Sequence, residues 1–133
     1  MWILLEQVTD ISAAELKQMH LNAGAIPITI DPGDGKIAVL VAFSSDFLPG
    51  SIPFNTTAAV YGNYLQGNGA SAFEASAFPF NATVREFASG PGVNLASDLT
   101  NCVGMVYAFL DGPITTGNGT LRLTTKYYVH DLQ

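Results

Sequence analysis

The sequence predicts a mainly β protein, an antiparallel β-sandwich or jelly roll with one short N-terminal helix. Three observations predict it. Apolar residues recur with period two over 26–30, 36–44 and 120–132, the spacing of a strand with one face turned inward. Clusters of Gly, Pro and Asn interrupt these runs at 31–35, 48–53, 66–69, 89–92 and 111–119, where tight turns need them. Repeated helical segments, which a parallel sheet requires as crossovers, are missing from the pattern. A chain of 133 residues suits a single domain over 1–133, with 1–11 as an N-terminal arm or edge strand.

Taken in order, residues 2–9 are mostly apolar and suit a short strand or an arm. Ser12-Ala13-Ala14-Glu15 has the spacing of a capping box ahead of Leu16 and Met19, so a helix is expected over 12–20, with Gly24 as its stop. Ile26, Ile28 and Ile30 share one side of a strand that enters the turn Asp31-Pro32-Gly33-Asp34-Gly35. Pro fixes φ and Gly accepts positive φ, so this segment reads as a hairpin turn. The following strand places Ile37, Val39, Val41 and Phe43 on one face.

Ala58, Val60 and Tyr64 share a face of a strand over 57–64, and Pro79 divides the Phe-bearing stretch 70–87 into short strands. Residues 102–110 are apolar on both faces, which predicts a central strand covered on both sides. The last strand, 120–132, sets Leu121, Leu123, Tyr127 and Val129 against Arg122, Thr124, Lys126, Tyr128 and His130.

Charged residues make up 12% of the chain and hydrophobic ones 48%, against roughly 25% charged in an average soluble protein. Its surface is therefore covered by Ser, Thr, Asn and Gly, or by apolar groups that another chain covers, which points to an assembly component. The net charge is -6, and the basic residues Lys17, Lys36, Arg85, Arg122 and Lys126 are scattered, so neither nucleic acid nor an anionic membrane is an expected partner. No apolar run approaches the roughly 20 residues of a spanning helix. Met1-Trp2-Ile3-Leu4-Leu5 is followed by Glu6 and lacks the basic start of a signal peptide. Cys102 is the only cysteine, which excludes an intrachain disulfide and suits synthesis in a cytosol.

No catalytic motif, metal or cofactor is expected. His20, His130 and Cys102 lie far apart in sequence, without the spacing of a metal site or an activated nucleophile. Asp31–Lys36 has neither the Gly-Lys-Ser/Thr ending of a phosphate loop nor the distal Glu of a calcium loop. Three Asn-x-Thr acceptor patterns, at Asn55, Asn81 and Asn118, follow from the abundance of Asn and Thr in turns and strands. Phe73, Phe78, Phe80 and Phe87 read as core or subunit contact ahead of a stacking platform. Glu74 and Glu86 are the candidate pair for a glycan-active enzyme, which requires two facing carboxylates about 5 to 10 Å apart.

One arrangement goes further. A short helix is followed by Ile26-Pro27-Ile28-Thr29-Ile30-Asp31-Pro32-Gly33-Asp34-Gly35-Lys36-Ile37-Ala38-Val39, a β-rich middle, and Gly117-Asn118-Gly119-Thr120-Leu121-Arg122-Leu123-Thr124-Thr125-Lys126-Tyr127-Tyr128-Val129. This resembles small β-sandwich virion proteins of tailed bacteriophages, among them capsid cement or decoration proteins. The resemblance covers about half of the chain, and its motifs are turn grammar shared by many sandwiches.

It implies a non-enzymatic protein on the capsid surface of a virion, made in the host cytoplasm. Such a protein binds the major capsid protein as a dimer or trimer and stabilises subunit junctions. Candidate contact residues are Met1, Trp2, Ile3, Phe47, Leu48, Ile52 and Phe54. The alternative implied is a tail-associated receptor binder or adaptor recognising a host glycan through loops at 47–54 and 112–119. A flat apolar or uncharged polar face favours cementing, whereas aromatics exposed in loops favour receptor binding.

Overall fold

The computed structural model describes residues 3–20, 24–55, 60–64, 73–74, 84–91, 104–110 and 114–132. Within them lie β1 (Leu5–Ile11), α1 (Ala13–Leu16), β2 (Ile26–Pro27), β3 (Lys36–Leu48), β4 (Val60–Tyr64), β5 (Phe73–Glu74), β6 (Glu86–Pro91), β7 (Val106–Leu110) and β8 (Thr120–Asp131). A long sheet has the order β1-β8-β3-β6 and a short sheet the order β2-β7-β4-β5, with antiparallel pairing throughout.

The pairs β1 with β8, β2 with β7, β3 with β6 and β4 with β5 are those of one long hairpin rolled up on itself. Contacts of β8 with β3 and of β7 with β4 then join the halves, which is the eight-strand jelly roll. The expected mainly β, antiparallel fold with one short helix is the observed one.

Between the sheets lies a core to which both contribute. Phe43, Phe47, Leu121, Leu123 and Tyr127 come from the long sheet, and Val60, Val106, Ala108 and Leu110 from the short one. The capping box forms as its spacing predicts. The Ser12 hydroxyl accepts from the Glu15 amide at 3.2 Å, and the Glu15 carboxylate accepts from the Ser12 amide at 3.0 Å. The helix is shorter than expected, ending at Leu16 with Lys17 as its cap. Leu16 and Met19 turn fully into the core, and the Met19 carbonyl accepts from the Leu110 amide at 3.1 Å. The chain beyond the helix is thereby fixed to the end of β7.

Segment 31–35 is not a hairpin turn. It carries the chain from β2 in the short sheet to β3 in the long one, an arch between layers. Its local chemistry is the expected one, with the Asp31 carboxylate accepting from the Gly33 amide at 3.0 Å and Gly33 and Gly35 at φ 90 and 71. Turn residues specify a reversal, but the partner of each arm is set by long-range pairing.

The stretch leading into this arch ties the layers together. Ile28 donates to the Val106 carbonyl at 2.9 Å and accepts from the Thr125 hydroxyl at 2.6 Å. The Ile30 amide donates to the Tyr127 hydroxyl at 3.1 Å, and the Val106 amide donates to the Thr29 hydroxyl at 3.0 Å. The Tyr64 hydroxyl donates to the Ala38 carbonyl at 2.5 Å. Each of these bonds satisfies a polar group that the core would otherwise strand at a cost of about 1–3 kcal/mol.

Other departures have local causes. The register of β3 shifts between Leu40 and Ala42, and this bulge adds one residue and reverses the inward parity. Leu40 and Phe43 are therefore buried while Val41 is exposed, against the expected single face of Ile37, Val39, Val41 and Phe43. In β7 the face of Val106, Ala108 and Leu110 is buried, whereas Met105 and Tyr107 are only half-buried. Among the described residues the sandwich has two layers, so only one face of this inner strand meets the core. The expected turn at 89–92 is instead β6 through Pro91; Pro is tolerated there because β6 is an edge strand. Phe87 on that strand is 66% exposed and does not belong to the core.

Candidate functional site

The outer face of the long sheet is the most ordered surface among the described residues. Alternation along β1, β8, β3 and β6 sends every second side chain outward, and antiparallel register aligns these into rows. One row runs Asp10, Arg122, Asp46, Phe87. The next runs Val8, Thr124, Ser44, Ser89, and a third Glu6, Lys126, Ala42, Pro91. The middle of the face is thus small and uncharged. Val8, Val41, Leu48, Val84 and Phe87 are exposed on or beside it.

The first row is a charge ladder. Arg122 forms a two-pronged pair with Asp10, Nε to Oδ1 at 2.6 Å and Nη2 to Oδ2 at 3.2 Å. Arg85, just before β6, forms a second with Asp46, Nε to Oδ1 at 2.8 Å and Nη2 to Oδ2 at 2.5 Å. The hydrogen bond from Arg122 holds the Asp10 carboxyl below its ordinary pKa, and that from Arg85 does the same for Asp46. Both guanidinium pKa values are raised by the same bonds. Arg122 also acts on Asp46 through space, so the four charges form one alternating system, acid, base, acid, base. A shallow depression of about 410 Å³ lies over it, bordered also by Ser12, Glu15, Leu48 and Thr120.

A second candidate region is the loop end beyond β3. Two asparagines clamp segments 48–55 and 114–119 to each other. Asn118 accepts from the Ile52 amide at 2.8 Å and donates to the Ser51 hydroxyl at 2.9 Å. Asn55 accepts from the Thr115 and Thr116 amides at 3.2 and 3.4 Å and donates to the Thr115 hydroxyl at 2.9 Å. Gly117, at φ 115, lies against the Phe54 ring so closely that an added Cβ would be 2.3 Å from it. Two of the three Asn-x-Thr patterns are therefore structural clamps, and Asn81 lies outside the described residues.

The contact residues expected from sequence do not form one patch. Phe47 and Phe54 are core side chains, 1% and 2% exposed, with rings 6.0 Å apart. This corrects their assignment to a contact surface: the inward parity of β3 after its bulge and the Gly117 contact bury them. The same burial removes the aromatic rings that receptor binding through these loops would use. Leu48 and Ile52 are exposed at the loop end. Ile3 is exposed too, but it precedes the Leu5 end of β1, which pairs with Tyr127, while Leu48 pairs with Thr120. About 20 Å or more of strand separates them. Met1 and Trp2 lie outside the described residues.

Glu74 and Glu86 stand on β5 and β6, in different sheets, and are not paired across neighbouring strands. His20 and His130 are exposed, and Cys102 lies outside the described residues, as do Phe78 and Phe80. Among the described residues no three His, Cys, Asp or Glu side chains come together as metal ligands, and no helix is long and apolar enough to cross a membrane. Sequence reasoning missed the ladder, treating Arg85 and Arg122 as scattered bases. The available signal was the outward parity of Arg122 in its strand.

No family model and no curated protein matches this chain. Among solved structures it is similar in fold to a chain described as "Cyanophage Pam1 capsid asymmetric unit", with a TM-score of 0.51 and 15% identity, over 96% of this chain and 85% of that one. The likeness is one of fold.

Proposed function

We propose that this chain is a non-enzymatic structural protein of a phage virion, a cement or decoration protein that binds the outer surface of the shell and stabilises junctions between major capsid subunits. The observation that carries this reading is a jelly roll similar over nearly its whole length to a chain of a phage capsid assembly. The low-charge composition and the exposed Leu48 and Ile52 on a clamped loop end support it. A pre-ordered loop carrying apolar side chains loses little conformational entropy on docking. A protein that binds only the assembled shell stabilises it by mass action.

The test is sedimentation of purified protein with undecorated capsids. Saturable co-pelleting that raises the shell's melting temperature is expected, and Leu48→Asp with Ile52→Asp should weaken it at least tenfold. Absence of co-pelleting at saturating protein, or binding indifferent to both substitutions, would overturn the reading.

A further inference from the structure

We propose that the outer face of the long sheet joins two copies of this chain in a two-fold symmetric dimer. The inference stands apart from the shell reading, since it requires only the purified protein. Its basis is the sign pattern of the ladder. Across the sheet the order is Asp10 on β1, Arg122 on β8, Asp46 on β3 and Arg85 beside β6. Reversing that order exchanges every acid for a base.

A two-fold axis lying in the face, parallel to the strands and between β8 and β3, performs this reversal on the second copy. Asp10 then meets Arg85 of the second copy, and Arg122 meets its Asp46. The four contacts, two kinds each occurring twice as an isologous interface requires, are all of opposite sign. An axis across the strands would instead set like charges opposite one another.

The rest of the face agrees. The row of Val8, Thr124, Ser44 and Ser89 is flat and uncharged, so two such faces can approach closely. The same axis sets exposed Phe87 of one copy at the β1 edge of the other in the row of Asp10, and Val8 opposite Ser89. Asp10, Arg122 and Arg85 retain more than half their side-chain exposure despite their in-chain pairs, which leaves them accessible to a second partner. The central strands span 13 and 12 residues and the outer ones 7 and 6, which at about 3.3 Å by 4.8 Å per residue is a flat area of about 600 Å². Such a face is of the order of the roughly 800 Å² per partner found in specific interfaces.

Sedimentation equilibrium on the wild type, Asp10→Arg and Arg85→Asp tests this. The wild type should have twice the 14.0 kDa chain mass. Each reversal alone sets like charges together and should yield monomers with unchanged far-ultraviolet circular dichroism. Mixing the two variants restores opposite signs at all four contacts of a mixed pair, so a heterodimer should reappear. A monomeric wild type, dimers that survive either reversal, or variants that stay monomeric when mixed would each overturn the proposal.

Discussion

In the long sheet, β3 and β8 run side by side over 13 and 12 residues, whereas β4 and β7 of the short sheet have five each and β2 has two. Both sheets bury one face in the same core, so they share that task. The difference is outside. Register held from Ala42 to Leu48, past the bulge, places outward side chains in fixed rows that cross all four strands of the long sheet, such as the row of Asp10, Arg122 and Asp46. The short sheet closes the core and anchors segment 28–30. Presentation and closure are thus divided between the layers.

The sharpest way to break this comparison is truncation on each inner face. Phe47→Ala should lower unfolding free energy by about 3–5 kcal/mol and Val60→Ala by about 2 kcal/mol, from the usual cost of a cavity of each size. Urea denaturation of both variants measures it; equal losses would show the layers to be energetically equivalent. The ties between layers come next. Thr125→Val leaves the Ile28 carbonyl without its hydroxyl donor and should cost about 1–2 kcal/mol, with Tyr127→Phe costing about 1 kcal/mol through the Ile30 amide. Unchanged denaturation midpoints would mean that water replaces both bonds.

A similar loss of about 1 kcal/mol is expected for Asn118→Ala, with faster hydrogen exchange at the Ile52 amide. Exchange no faster than in the wild type would show that the loop end is held by its apolar packing alone.

The smallest effect concerns the outer face. Asp10 and Asp46 have depressed pKa values in the folded protein. The unfolded chain therefore takes up their protons first as pH falls. Their contribution is complete above the ordinary value of 3.8 and is lost as pH drops through the lower folded values. Thermal melts of wild type and of Asp10→Asn with Asp46→Asn, from about pH 6 down to about pH 2.5, should converge at the acid end. A gap that persists there would mean the carboxylates act through something other than charge.

Much of the architecture could be read directly from residue patterns. The alternation of β8 is kept in the structure, with Leu121, Leu123 and Tyr127 inward and Arg122, Lys126 and His130 outward, because an uninterrupted period of two has one consistent reading. The capping box of α1 is equally local. What escaped was non-local. A bulge at Leu40–Ala42 leaves no mark in a run where every residue is apolar, and it decided whether Phe47 is core or surface. The arch at 31–35 has the residues of a hairpin turn and differs only in where its arms pair. The ladder joins residues 10, 46, 85 and 122, whose adjacency depends on the register of three strand pairs at once.

The pairing of β1 with β8, Leu5 opposite Tyr127 and Ile11 opposite Leu121, has a consequence in time. β8 lies between β1 and β3, so the long sheet has no centre until β8 has left the ribosome. During synthesis at roughly 5–20 residues per second, β1 and β3 wait as unpaired edges for several seconds. The apolar run Ile37–Phe43 of β3 is adhesive during that interval. Emergence of β8, rather than of the first strands, therefore commits the long sheet to its pairing.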